Sequence, residues 1–124
     1  MIINSTFFDA IARHQHNPFI WGSNDCALFV ANIYLELFGT DLAADVRGTY
    51  DTEYDGMRKI IKMGGWDGIL SKRNFTKIDT NFVSRGDVVI AENAMGIWVG
   101  TYAIFAGNIV RPLTAVTAVY RYKE

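Results

Sequence analysis

Cys26 is the one cysteine in the chain, and its position suits nucleophilic chemistry. It follows Asp25 and opens an apolar segment, Ala27 to Phe38, that is typical of a helix and ends before Gly39. A thiol in the first turn of a helix lies near unpaired backbone N–H groups and the positive end of the helix dipole. Both favour the thiolate, but a nucleophilic cysteine usually also needs a neighbouring base. Catalysis by Cys26 therefore depends on what folding brings beside it.

His14 and His16 are the only histidines, and both precede Cys26. His16 lies just before the segment Pro18 to Trp21, so it could approach the thiol as a non-standard base. The alternative is that both imidazoles occupy exposed positions at the end of a helix.

An apolar stripe along the predicted helix offers a second interpretation of the thiol. Cys26, Phe29, Val30, Ile33 and Leu37 recur at helical spacing and share one face. Free cysteines are among the most buried residue types. Cys26 is thus either a nucleophile or a thiol packed beside the core.

Helices are predicted in the first two-thirds of the chain. The first is capped by Asn4, Ser5 or Thr6 and reaches about Gln15, and the second begins at Asp25 or Cys26. The third is capped by Asp51 or Thr52 and reaches about Met63, and a short fourth helix covers about Trp66 to Lys72. We expect residues Asn74 to Arg85 to be mostly irregular.

The last third of the chain has the composition of short strands. The predicted strands are Asp87 to Ala91, Gly96 to Gly100, Tyr102 to Ala106, Asn108 to Arg111 and Ala115 to Tyr122. Short connections between them indicate an antiparallel sheet. Helices followed by a sheet predict an α+β fold, with N-terminal helices packed on a C-terminal antiparallel sheet, in one domain over residues 1–124.

Charge and composition exclude several classes of function. The formal net charge is −1 with acidic and basic residues interleaved, so no nucleic-acid surface is predicted. No segment reaches the roughly 18 apolar residues that cross a bilayer, and no signal peptide is expected at the N-terminus. One cysteine allows no internal disulfide and no CxxC metal motif, and the acidic run from Asp41 to Asp55 lacks a calcium-loop pattern. We therefore predict neither a metal nor a cofactor.

Four segments in chain order resemble the motifs of NlpC/P60 cell-wall peptidases, which have a papain-like fold. They are an aromatic-glycine segment, Asp-Cys at a helix start, Gly-Asp at a strand start, and a Gly-Ile-aromatic strand. In this chain they are Phe19-Ile20-Trp21-Gly22, Asp25 to Val30, Arg85-Gly86-Asp87 to Ile90, and Met95 to Gly100.

The resemblance is closer to small NlpC/P60-like proteins encoded among phage and prophage tail genes. Their pattern Trp-Gly-x-x-Asp-Cys is followed by Gly-x-Asp and Arg-Gly-x-Tyr. Here these are Trp21 to Cys26, Gly39 to Asp41, and Arg47 to Tyr50. The resemblance implies that Arg47 and Tyr50 anchor the long connection against the helix, with ligand contact as the alternative. Asp25 is expected to cap the helix and Asp87 to tie its turn.

Ala94 stands where the active peptidases carry their catalytic histidine. Phe105 or a neighbour stands where a second polar residue normally follows, and no histidine follows Cys26. Losing one member of a catalytic triad typically costs several orders of magnitude in rate. The resemblance therefore implies a scaffold whose catalytic Cys26 is inactive.

The function expected from this resemblance is a structural or assembly role at the tip or hub of a phage tail. Its partners would be other tail proteins, with peptidoglycan as a second partner, and it would reside in the virion after synthesis in the host cytoplasm. The alternative is an active cysteine peptidase or amidase that cleaves peptidoglycan stem peptides during phage entry. An inert regulatory binder from a prophage is a third hypothesis, which no residue favours.

Overall fold

The computed structural model describes residues 4–124, with side chains from Thr6 onward. Within these residues, four α-helices precede six strands. The helices are α1 (Asn4–His14), α2 (Cys26–Phe38), α3 (Glu53–Lys62) and α4 (Gly65–Ser71). The strands are β1 (Phe75–Ile78), β2 (Val88–Ala91), β3 (Ala94–Trp98), β4 (Ala103–Phe105), β5 (Ile109–Arg111) and β6 (Val116–Tyr122). The predicted α+β architecture, with helices first and an antiparallel sheet last, is confirmed.

Local signals in the sequence explain where α2 and α3 begin and end. The carboxylate of Asp25 caps α2, and Gly39 ends it in the left-handed conformation with a φ of 73°. The hydroxyl of Thr52 caps α3 by accepting from the Asp55 backbone N–H.

The predicted cap of α1 is wrong. Asn4, Ser5 and Thr6 all lie within the helix, so none of them precedes it as a cap. Residues 1–3 lie outside the described residues. They are part of the N-terminal segment in which no signal peptide is expected.

The prediction that residues Asn74 to Arg85 are irregular is also wrong. They contain β1 and a 3-10 helix at Thr80–Phe82. β1 pairs with the last strand, with Phe75 opposite Tyr122. Four residues with one buried side chain leave little local signal, and the pairing that stabilises β1 comes from the far end of the chain.

All six strands form one sheet in the order β1-β6-β2-β3-β4-β5, with antiparallel neighbours throughout. Four consecutive strands, β2 to β5, make a meander, and β6 returns to lie between β1 and β2. A two-residue turn at Glu92 and Asn93, both with positive φ, joins β2 to β3. The central pair β2 and β3 is therefore held in a fixed register beside the helices.

The sheet has two buried faces because side chains alternate along each strand. The face toward the helices carries Val88, Ile90, Met95 and Ile97, and it packs against Phe29, Val30 and Ile33 of α2. The opposite face carries Val89, Ala91, Trp98, Ala103, Phe105 and Val119. Of the strands, β3 is the one that α2 contacts most. This packing places the first turn of α2 beside the start of β3.

A buried tyrosine fixes the other end of that packing. The Tyr34 hydroxyl of α2 donates to the Gly86 carbonyl, at 2.6 Å, just before β2. Gly86 has a φ of 92°, a conformation that favours glycine. The next residue, Asp87, accepts from the Ser84 backbone N–H and forms a salt bridge with Arg121. The Gly-Asp motif is thus a turn tied to both α2 and β6.

Across the described residues, no helix combines the length and apolar character that a membrane span requires.

Candidate functional site

The Asp25 carboxylate organises the start of α2. It is 1% exposed and accepts three hydrogen bonds. Oδ1 accepts from the Leu28 backbone N–H at 3.1 Å, and Oδ2 accepts from the Gly22 backbone N–H at 3.0 Å and from the Tyr50 hydroxyl at 2.5 Å. One buried side chain therefore joins the aromatic-glycine segment, the helix and the end of the long connection.

Gly22 allows the chain to pass directly against Tyr50. Its φ is 88°, and a Cβ atom there would lie 2.0 Å from the Tyr50 carbonyl oxygen. Gly56 of α3 permits a second close approach, because a Cβ there would meet the rings of Tyr50 and Trp21 at 3.1 and 3.2 Å. Only glycine fits at position 22, so the glycine of the Trp-Gly motif is required for steric reasons.

Arg47 holds the connection between α2 and α3 in place. Its guanidinium donates to both carboxylate oxygens of Asp41, at 3.0 and 2.9 Å, and to the Asn32 side chain of α2 at 2.8 Å. The hydrogen bonds from Arg47 hold the pKa of Asp41 below its usual value. Arg47 thus contacts α2, and Tyr50 contacts the Asp25 cap of that helix.

Cys26 as a residue is half-buried, and its thiol lies against β3. Its pKa is raised to about 11, mainly because burial disfavours the thiolate. The backbone hydrogen bond with Met95 opposes this rise, and the charge of the neighbouring Asp25 carboxylate adds to it. At pH 7 a thiol with that pKa is ionised in only about one molecule in ten thousand. The helix start favours the thiolate, but desolvation outweighs that effect here.

His14 lies at the end of α2 opposite Cys26. His14 Nε2 lies 3.6 Å from a carboxylate oxygen of Glu36, in the last turn of α2. Glu36 is ten residues beyond Cys26, which corresponds to about 15 Å along a helix. His16 is exposed and is not part of the wall around the thiol. The hypothesis of a non-standard base from His16 gains no support from this geometry.

Apolar groups occupy the two positions where the resemblance places polar catalytic residues. Ala94 packs with the cluster on the face opposite the helices. The Phe105 ring is 5% exposed and covers Gly96, where an added Cβ would lie 2.6 Å from the ring. The Asn93 carbonyl just before Ala94 accepts from the Trp66 indole N–H at 3.1 Å. The start of β3 is therefore packed with apolar groups, and the Met95 backbone of this strand forms a hydrogen bond with the Cys26 thiol.

Cys26 lies in the wall of a cavity of about 80 Å³ between α2, the connection, α3 and α4. We call it the Cys26 cavity. Its wall is mostly apolar and includes Trp21, Ala27, Val30, Ala31, Leu42, Ala43, Val46, Tyr50, Gly56, Lys59, Ile60, Met63, Trp66, Ile69, Leu70, Arg73, Phe75 and Met95. No sequence pattern predicts this cavity, because its wall comes from segments that lie far apart in the chain, from Trp21 to Met95. Small residues on facing elements, such as Ala31, Ala43 and Gly56, are the signal that could have indicated it.

Two cations line the Cys26 cavity, and they differ in their partners. Arg73 donates to the Leu42 and Ile69 carbonyls and forms a salt bridge with Asp45. Lys59 forms no salt bridge with any residue that the structure describes. In the same described part of the chain, no cluster of three or more His, Cys, Asp or Glu side chains could hold a metal ion.

Comparisons with known proteins give a family and a fold. A family model described as a domain of unknown function, DUF6950, matches residues 3–122. No curated protein matches the chain in sequence. Among solved structures, the chain is similar to the crystal structure of the NlpC/p60 domain of the peptidoglycan hydrolase SagA, with a TM-score of 0.64 and 17% identity over 97% of this chain and 99% of that one. At that identity the likeness shows the fold alone, and the predicted NlpC/P60-type fold is confirmed.

Replacing Asp25 with alanine tests how much the site depends on this carboxylate. The Asp25→Ala substitution leaves three donors without their acceptor, two of them backbone N–H groups. We expect a loss of about 3 kcal/mol or more in the free energy of unfolding, measured by urea denaturation. Thr52→Ala removes a comparable but exposed cap from α3 and should cost about 1 kcal/mol. Tyr50→Phe removes one donor only, so its loss in the free energy of unfolding should lie between those of Asp25→Ala and Thr52→Ala. Equal losses for Asp25→Ala and Thr52→Ala would contradict the central role of Asp25.

Proposed function

Because the chain belongs to the DUF6950 family, a domain of unknown function, we propose a function from the geometry of the Cys26 site. The protein is a catalytically inactive domain on an NlpC/P60-type scaffold, and it acts by binding other proteins. The observation that carries this proposal is the surroundings of Cys26. Ala94 and Phe105, both packed in the protein, occupy the two positions where the resemblance places polar catalytic residues. Burial beside the Asp25 carboxylate also raises the pKa of the Cys26 thiol.

The chemistry of a cysteine hydrolase explains why these surroundings argue against catalysis. Such an enzyme needs a thiolate to attack the carbonyl carbon and a proton donor for the leaving amine. At Cys26 the thiolate is disfavoured, and the Tyr50 hydroxyl nearby already donates to Asp25. Burial and that hydrogen bond raise the pKa of Tyr50, so its hydroxyl does not serve as a base. The motif residues around Cys26 have structural partners instead.

The partners we propose are other proteins of a phage or prophage tail. Support comes from the order of motifs from Trp21 to Tyr50, which resembles small NlpC/P60-like proteins encoded among tail genes. In this proposal the protein is made in the host cytoplasm and incorporated in the virion at the tail tip or hub.

A peptidoglycan digestion assay tests the loss of catalysis. Purified protein and its Cys26→Ser variant should both leave peptidoglycan uncleaved, as judged by chromatography of released stem peptides. The NlpC/p60 domain of SagA, described as part of a peptidoglycan hydrolase, serves as the positive control. Cleavage by the wild-type protein that is abolished in Cys26→Ser would establish a cysteine peptidase instead.

Mass spectrometry of purified phage particles tests the proposed location. Particles from the phage or induced prophage that encodes this chain should contain the protein at a constant ratio to other tail proteins. A matched sample of tail-less particles from the same lysate should lack it. Detection only in the soluble lysate, and never in purified particles, would contradict the virion assignment.

A further inference from the structure

An open groove runs between the connection and α3, and we call it the α3 groove. It encloses about 500 Å³ and is lined by Thr49, Tyr50, Asp55, Arg58, Lys59, Ile61 and Lys62. Tyr50 and Lys59 also line the Cys26 cavity. The groove and the apolar cavity therefore meet at these two side chains.

The groove carries an excess of positive charge. Arg58, Lys59 and Lys62 face one carboxylate, that of Asp55. None of the three cations forms a salt bridge with a residue that the structure describes. Cations that the protein leaves unpaired on one face attract an acidic partner.

Apolar side chains accompany these cations on the exposed surface of α3. Tyr54 is 70% exposed and Ile61 is 75% exposed. Tyr54, Arg58, Ile61 and Lys62 recur at helical spacing, and the Arg58 guanidinium stacks over the Tyr54 ring at 5.6 Å from its centroid. Interfaces are enriched in aromatic residues and arginine, so this surface of α3 has the composition of a binding site.

We propose that the α3 groove binds an acidic segment of a partner protein, and that one aliphatic side chain of this segment enters the Cys26 cavity. The inference rests on the proposed binding function and names the chemistry of the partner. The carboxylates of the segment pair with Arg58, Lys59 and Lys62. Its aliphatic side chain fills an apolar space of about 80 Å³, which is too small for a large ring.

Other acidic ligands fit the surface less well. Polybasic membrane sites use about four to eight cations on an open surface, whereas this groove offers three cations and is concave. Nucleic-acid sites carry a broad excess of basic residues, whereas this chain has a formal net charge of −1. A peptide combines spaced carboxylates with an apolar side chain, so it matches both the groove and the cavity.

Tryptophan fluorescence provides a direct test, because Trp21 and Trp66 both line the Cys26 cavity. The probes are short synthetic peptides without aromatic residues. One has a central Leu flanked by Asp and Glu, the second has Ser in place of that Leu, and the third keeps the Leu but has Lys in place of the acidic residues. We expect the acidic Leu peptide to bind and shift the fluorescence, and each of the other two to bind at least about tenfold more weakly.

Charge reversal locates the binding surface. Lys59→Glu should weaken binding of the acidic Leu peptide by about tenfold or more. Lys77→Glu makes the same change of charge at an exposed residue of β1, outside the groove, and should leave the affinity unchanged. Raising the salt concentration should weaken binding to the wild-type protein.

Several outcomes would overturn the inference. They are an absence of binding at millimolar peptide, equal affinity for the Leu and Ser peptides, and equal effects of Lys59→Glu and Lys77→Glu. Binding of anionic lipid vesicles or duplex DNA that excludes the peptide would also overturn it. The proposed loss of catalysis is tested separately by peptidoglycan digestion. Because the digestion assay does not depend on the peptides, failure of the peptide-binding proposal is distinguishable from failure of the proposed loss of catalysis.

Discussion

The site depends on one buried carboxylate and its three donors. Asp25 is almost fully enclosed, and a buried charge is tolerated only where hydrogen bonds replace the water that it loses. Gly22, Leu28 and Tyr50 supply those hydrogen bonds from three separate segments. None of the three can move away without leaving the carboxylate unsatisfied. The start of α2, and with it Cys26, is therefore fixed relative to the connection.

The same carboxylate contributes to the chemical state of the thiol. A helix start favours the thiolate by roughly 0.3–1 kcal/mol. Burial against β3 acts in the opposite direction, and it raises the pKa of Cys26 by an amount that the Asp25 charge increases further. Because desolvation is the larger effect, a position that suits a nucleophile holds a neutral thiol. The difference between a catalytic and an inert cysteine here lies in the surroundings and not in the helix start.

The sequence predicts much of this arrangement because the signals are local. The Asp-Cys pair, the apolar stripe of α2 and Gly39 indicate one helix, and the alternating pattern of residues 116–122 indicates one strand. β1 was missed because its single buried residue, Phe75, is stabilised by Tyr122 and Tyr34 from distant parts of the chain. The Cys26 cavity was missed for the same reason. Its wall brings together residues from Trp21 to Met95, and no periodic pattern in the sequence marks the space between them.

The central claim, that Cys26 is a neutral thiol, is tested most directly by NMR. The chain has one cysteine, so a sample labelled with carbon-13 at the cysteine Cβ gives a single resonance whose shift follows ionisation of the thiol. Since the pKa of the Cys26 thiol is raised in the folded protein, the resonance should stay constant through neutral pH and change with a midpoint near pH 11. In urea the midpoint should return to about 8.5. A midpoint at or below about pH 7 in the folded protein would show an activated thiolate and contradict the account.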